Sequence, residues 1–315
     1  MRHGDAEEDR NLALSEVIGF VLLLALMVAA LSLWSIYIVP VNGREAEIVQ
    51  MNTVKDRFTD YKFTLDSLWI NNQTGVMTST SFNLGTGQGV TEASGLFLPL
   101  LNPIPSSAVL SVNDGGDRLI VNSSSLPDGR VFNLSILEYQ SSNNYWVQQR
   151  YYYQTGGVFL KQNNGSICRI SPSFTLARTY SGTSEFASVT LIPIQVLGGS
   201  SIGGKGPVRV DSQLRTPAKL ATQEQNSYVT IRVNVADKPT ALMWMNVLNE
   251  TRIRGGITSS SWYSFSVTED PVSKRGTAFM NITGPSASGS TQDILFTLQA
   301  VDYAVTINNI ASGIT

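Results

Sequence analysis

The chain has 315 residues, a net charge of −2 and only 15% charged residues, which gives no footing for a nucleic-acid-binding surface. A single cysteine, Cys168, and a single histidine, His3, exclude an intrachain disulfide and any CxxC or zinc pattern. His3 lies in a polar tail ahead of the first apolar element, so histidine-based hydrolysis, which needs a folded and oriented imidazole, is excluded as well. No catalytic, metal or cofactor residue is assigned, and the chain is read as not an enzyme.

Residues 1–13 form a polar leader, and a membrane helix is predicted over 14–39. Between Glu16 and Arg44 lie 27 residues without a charge, where about 20 are enough to span a bilayer. A cleavable secretory signal has an apolar core of about 7–15 residues, much shorter than this one. Glu16 is unusual at the head of such a helix. In hydrocarbon a carboxylate takes up a proton or finds a cation, whereas at headgroup level it reaches water. Trp34 and Tyr37 suit an aromatic belt at the far interface. Basic residues flank the span on both sides, so their distribution does not orient it. The N-terminus is placed inside the cell because the polar region after the helix reads as an ectodomain.

The string Ala13-Leu14-Ser15-Glu16-Val17-Ile18-Gly19-Phe20-Val21-Leu22 resembles the N-terminal segment of archaeal type IV pilin-like proteins. In that family a short polar leader precedes a Ser-Pro/Glu-Val-Ile-Gly core and an aliphatic helix. The resemblance covers about the first 70 residues and implies that Ser15, Glu16 and Gly19 take part in assembly. Glu16 would then pair with the freed α-amino group of a neighbouring subunit. A leader of that kind usually ends in a basic residue followed by Gly or Ala. Here Arg10 is followed by Asn11-Leu12-Ala13, and the uncut form is a one-pass membrane protein.

Pro40 and Asn42-Gly43 predict the end or a kink of the membrane helix. Asn42 and Glu45 resemble a capping box for a second, amphipathic stalk helix over 44–69. Its apolar residues Ile48, Met51, Val54, Phe58, Tyr61, Leu65 and Leu68 recur at steps of three or four, one helical stripe. Such a stripe packs either against the chain's own following domain or between subunits in a coiled-coil-like seam.

Residues 70–315 read as a β-rich ectodomain, antiparallel and β-sandwich-like, so the fold class is mainly β with a long N-terminal α-helix. Strands are expected, among others, at 79–84, 95–98, 108–112, 130–139, 187–196, 228–235 and 293–308, from period-two alternation and recurrent turn residues. One helix is expected around 241–249, capped by Asp237 and stopped by Gly255-Gly256. The glycine-rich stretch 198–206 reads as a loop or hairpin tip and as a subdivision near 197–207. The run Tyr151-Tyr152-Tyr153 reads as packing rather than a stacking platform, because consecutive strand residues face opposite ways. The pairs Asp114/Asp117 and Glu269/Asp270 fall in expected turns on the surface. Six Asn-x-Ser/Thr sequons, at Asn72, Asn122, Asn133, Asn164, Asn249 and Asn281, are glycan acceptors if this region is exported.

The expected function is therefore a pilin-like, membrane-anchored surface protein, structural or adhesive, that contacts membrane lipid and other pilin-like subunits. A monomeric single-pass receptor with a ligand-binding ectodomain is the alternative.

Overall fold

The computed structural model describes residues 5–86, 101–163, 165–215, 224–286 and 291–309, with side chains from residue 17 onward. The chain is mainly β, with one long N-terminal helix followed by several sheets. That helix runs as α1 (Asp5–Leu33), a π turn over Trp34–Ile38 and α2 (Val39–Ile70). The expected break at Pro40 and Asn42-Gly43 does not occur. Pro40 lies in the first turn of α2, lacks an N–H, and would press its ring on the carbonyl four residues back. The wider π turn relieves that conflict: the Val39 N–H bonds the Trp34 carbonyl, five residues back, and the helix continues. No capping box forms at Asn42, since its neighbours are already helical.

From Val39 onward, α2 buries one stripe that includes Val39, Gly43, Glu47, Met51, Val54, Phe58, Tyr61, Leu65 and Leu68. Ile48, expected in the stripe, is only half-buried. The stripe packs on its own chain, which overturns the coiled-coil-like alternative. One wall is a sheet in the order β1 (Met77–Leu84), β13 (Gly206–Leu214), β19 (Val301–Asn309), β11 (Ile194–Leu197). The other wall is a six-stranded sheet: β12 (Ser201–Gly204), β2 (Ser107–Asn113), β5 (Ile136–Ser142), β6 (Gln149–Gln154), β7 (Gly157–Gln162), β8 (Gly165–Ile170). Phe58 stacks near Phe82 and Tyr151, with ring centroids 5.1 and 6.3 Å away, and Tyr61 meets Tyr153 edge-on at 5.3 Å. The Tyr303 hydroxyl donates to the Leu65 carbonyl at 2.6 Å, so the last strand is bonded directly to the helix.

The six-stranded sheet is covered on both sides. Tyr151 and Tyr153 point to the α2 core, whereas Tyr152 and Phe159 point to a second core. All three tyrosines of the run are buried, as the alternation requires. The second core is closed by α3 (Lys238–Arg254) and two further sheets. One has the order β16 (Tyr263–Glu269), β17 (Gly276–Ile282), β15 (Val229–Val235), β3 (Arg118–Ser123), β4 (Leu126–Asn133). The other has the order β14 (Glu224–Asn226), β18 (Ile294–Leu298), β10 (Ser184–Leu191), β9 (Phe174–Ser181). Trp244 of α3 is fully buried against Phe159 and Phe174. Asp237 caps α3 by accepting from the Thr240 N–H at 2.8 Å, as its position predicts.

Several expectations are corrected. The spans 130–139, 187–196 and 293–308 each hold two strands, interrupted at Leu134-Ser135, Ile192-Pro193 and Gln299-Ala300. Two of the resulting pairings, β10 with β18 and β11 with β19, are parallel. The stretch 198–206 is not a free loop, because Ser201–Gly204 pairs with β2. Nor does it divide the chain, since both cores draw residues from before and after it. The strand expected at 95–98 lies outside the described residues.

Candidate functional site

The assembly candidates Ser15, Glu16 and Gly19 belong to the apolar helix. Ser15 and Glu16 lie within α1, but their side chains are outside the described residues. At Gly19 a Cβ would meet no atom within 4 Å. Every side chain from residue 17 to 38 is exposed, and Val39 is the first buried one, at 7%. Leu26 at 73%, Phe20 at 67% and Ile36 at 64% show that the exposure runs all round the helix. This helix is long and apolar enough to cross a membrane. An unbroken apolar cylinder of this size is far beyond the patches that water-soluble monomers expose. Trp34 and Tyr37 stand within five residues of Val39, where exposed side chains give way to buried ones.

Directly after that boundary the helix is clasped by a loop of the β region. Asn143 and Gln148 hold the loop in shape: the Asn143 N–H donates to Gln148 Oε1 at 3.0 Å and Gln148 Nε2 donates to the Asn143 carbonyl at 2.7 Å. Three successive N–H groups are thereby turned toward α2. Those of Asn144, Tyr145 and Trp146 donate to the Glu47 carboxylate at 2.6, 2.9 and 2.6 Å. Glu47 is 1% exposed. Its charge is met by backbone dipoles, an arrangement known for anion-binding loops. One turn earlier, Gly43 lets the Tyr145 ring lie on the helix, because a Cβ there would stand 2.3 Å from the ring. Arg44 places its guanidinium 4.3 Å from the Trp146 ring centroid. The Tyr145 hydroxyl accepts from the Ile104 N–H at 3.0 Å, and Trp34 Nε1 donates to the Leu101 carbonyl at 3.4 Å. The clasp ties the helix to the β region through groups of the chain itself.

Glu47 was not legible as a site residue, although a signal existed. Gly43 and Glu47 continue the stripe of Met51, Val54 and Phe58 backward at steps of four, so a carboxylate stood on the face that must be buried. Asn42-Gly43 looked like a turn because Gly43 permits one; its actual use is close approach of a ring.

The carboxylate pairs do not converge. Asp114 accepts from the Gly116 N–H in its own turn, whereas Asp117 accepts from Arg275 and Gln154. Asp117 is not on the open surface, as its turn position suggested: burial raises its pKa, against the pull of Gln154 and Arg275. Glu269 faces Lys238, and Asp270 accepts from the Val272 and Ser273 N–H groups. Of the sequon asparagines, Asn72 and Asn133 are exposed, Asn122, Asn249 and Asn281 are half-buried, and Asn164 lies outside the described residues.

Cys168 is half-buried, and burial, reinforced by Glu250, pushes its thiol up to about 11. At pH 8 its alkylation by iodoacetamide is expected to run roughly 100-fold slower than that of an ordinary exposed thiol, and to recover in denaturant. Equal rates with and without denaturant would contradict the buried placement.

Comparison with known protein families, with curated proteins and with solved structures yields no match for this chain.

Proposed function

We propose that the chain is a pilin-like, membrane-anchored cell-surface protein whose work is structural or adhesive. In this reading the N-terminus is cytoplasmic, the apolar helix crosses the bilayer once, and the β region stands outside the cell. The carrying observation is the helix itself. Residues 17–38 expose apolar side chains on every side, and the same helix continues without a break into the β region. Those 22 residues make about 33 Å of helix, against a hydrocarbon core of about 30 Å. Membrane lipid covers the cylinder, and copies of the same helix are the further partners. Glu16 then lies at the cytoplasmic edge of the span, where a neighbouring subunit's α-amino group is a suitable counter-charge.

Mass spectrometry of the mature N-terminus, combined with Glu16→Ala, tests the reading. A mature chain that begins at or near Leu14, and loss of assembly in Glu16→Ala, support a processed subunit. An intact Met1 with a tolerated Glu16→Ala removes assembly. It leaves the second reading, a monomeric single-pass receptor whose β region binds a ligand.

A further inference from the structure

The sheet of β16, β17, β15, β3 and β4 has one face in the second core. Leu119, Val121, Ile231, Val233 and Met280 point there. Alternation sends the intervening residues to the opposite face. The strand register arranges that outer face in rows. Asn281, Thr230 and Asn122 form one row. Phe279, Arg232, Ile120 and Val131 form the next. Arg118 and Asn133 are paired in the third. Three sequon asparagines from three different strands thus share one face, and they flank an apolar row on both sides.

That row is open. Val131 is 58% exposed, Ile120 and Phe279 are half-buried, and Arg232 lies 5.4 Å above the Phe279 ring. The acceptors differ in readiness. Asn133 is exposed at the end of β4. Asn281 accepts the Thr230 hydroxyl on Oδ1 at 2.9 Å, so its oxygen is engaged while a glycan is attached at nitrogen. Asn122 donates from Nδ2 to the Pro127 carbonyl over a long 3.3 Å contact. Asn249 is different in kind. It sits in α3, half-buried, with Oδ1 held by Arg252 at 2.5 Å.

We propose that this outer face carries N-linked oligosaccharides on Asn122, Asn133 and Asn281, which roof the row from Phe279 to Val131, and that Asn249 stays unmodified. The inference rests on the outward placement of the β region proposed above. Asn122 and Asn281 are two strands apart, about 10 Å, so each chain has its own footing beside the row. Attachment forms a bond between the anomeric carbon of the sugar and Nδ2. It breaks the bond from that carbon to the phosphate of an activated glycosyl donor, and the amide proton leaves with the phosphate or solvent. No redox partner is required. A glycan on Asn133 also shields β4, one of the two edge strands of the sheet, from pairing with another chain.

Glycopeptide mass spectrometry on the full-length protein, purified from the membranes of its source cells, tests this. Sugar on Asn122, Asn133 and Asn281, with none on Asn249, is the expected result. Any lesser pattern, or sugar on Asn249, overturns it. Asn133→Gln is expected to remove one step of apparent mass on a gel and Asn249→Gln none. Protease treatment of intact cells separates the two readings. A cleaved but sugar-free β region sinks the glycan inference alone, whereas a protected one removes the outward placement with it.

Discussion

Glu47→Ala is expected to release the loop at residues 143–148 from the helix and to destabilise the protein by about 3–5 kcal/mol. The substitution removes one buried acceptor and leaves three part-buried N–H groups without their partner. A fully buried unsatisfied group costs about 1–3 kcal/mol, and water reaches part of this loop, most readily at exposed Asn144, so the sum stays below the full total. Against a typical stability of about 5–15 kcal/mol this is a large loss. Hydrogen exchange gives the sharper readout: the amides of Asn144, Tyr145 and Trp146 should lose protection together. Glu47→Gln keeps one oxygen and should fall between. Unchanged exchange at those three amides in Glu47→Ala would show that the loop is held by other contacts. Gly43 and Tyr145 are the obvious ones.

The second large effect belongs to Phe58→Ala. Phe58 is fully buried among Phe82, Tyr151 and the α2 stripe. Truncation of a buried aromatic costs about 3–5 kcal/mol in lost burial and cavity. Phe63, five residues on and 61% exposed, is the matched control: Phe63→Ala should stay within about 0.5 kcal/mol. Denaturant unfolding of the two variants at low protein concentration separates packing within the chain from packing between copies. Near-equal effects, or an effect of Phe58→Ala that appears only in an assembled form, would contradict the single-chain core described here.

The helical half of the fold was legible because its signals are local. Twenty-seven uncharged residues, and a stripe at steps of three and four, need no partner to be recognised. Pro40 fails to break the helix for a physical reason. Proline forbids a normal α turn behind it, but the backbone has a second answer, a π turn, that the sequence does not distinguish from a stop. The β region was legible strand by strand and not as a topology. The span 187–196 looks continuous because both halves are apolar, and only Pro193, which cannot donate in a ladder, marks the switch from one sheet to another. The two parallel pairings join strands more than a hundred residues apart, which no local pattern encodes. Tyr145 shows the same limit. Its part in the clasp depends on Gly43, distant in sequence and adjacent only in the fold.

The π turn also has a rotational consequence. A π turn takes one more residue per revolution than an α turn, so the wide turn sets the phase between the apolar half of the helix and the half that carries the β region. Upstream and downstream of residues 34–38 the helix behaves as two shafts joined by a coupling of set phase. Deletion of one residue there would convert the wide turn into an α turn and leave the two shafts near their present phase. Deletion of one residue from the α-helical stretch at 17–33 would instead rotate the residues before it by about 100° relative to the β region. The direction in which the sheet faces point, relative to a chosen side of the apolar shaft, is thus set by those five residues winding as a π turn.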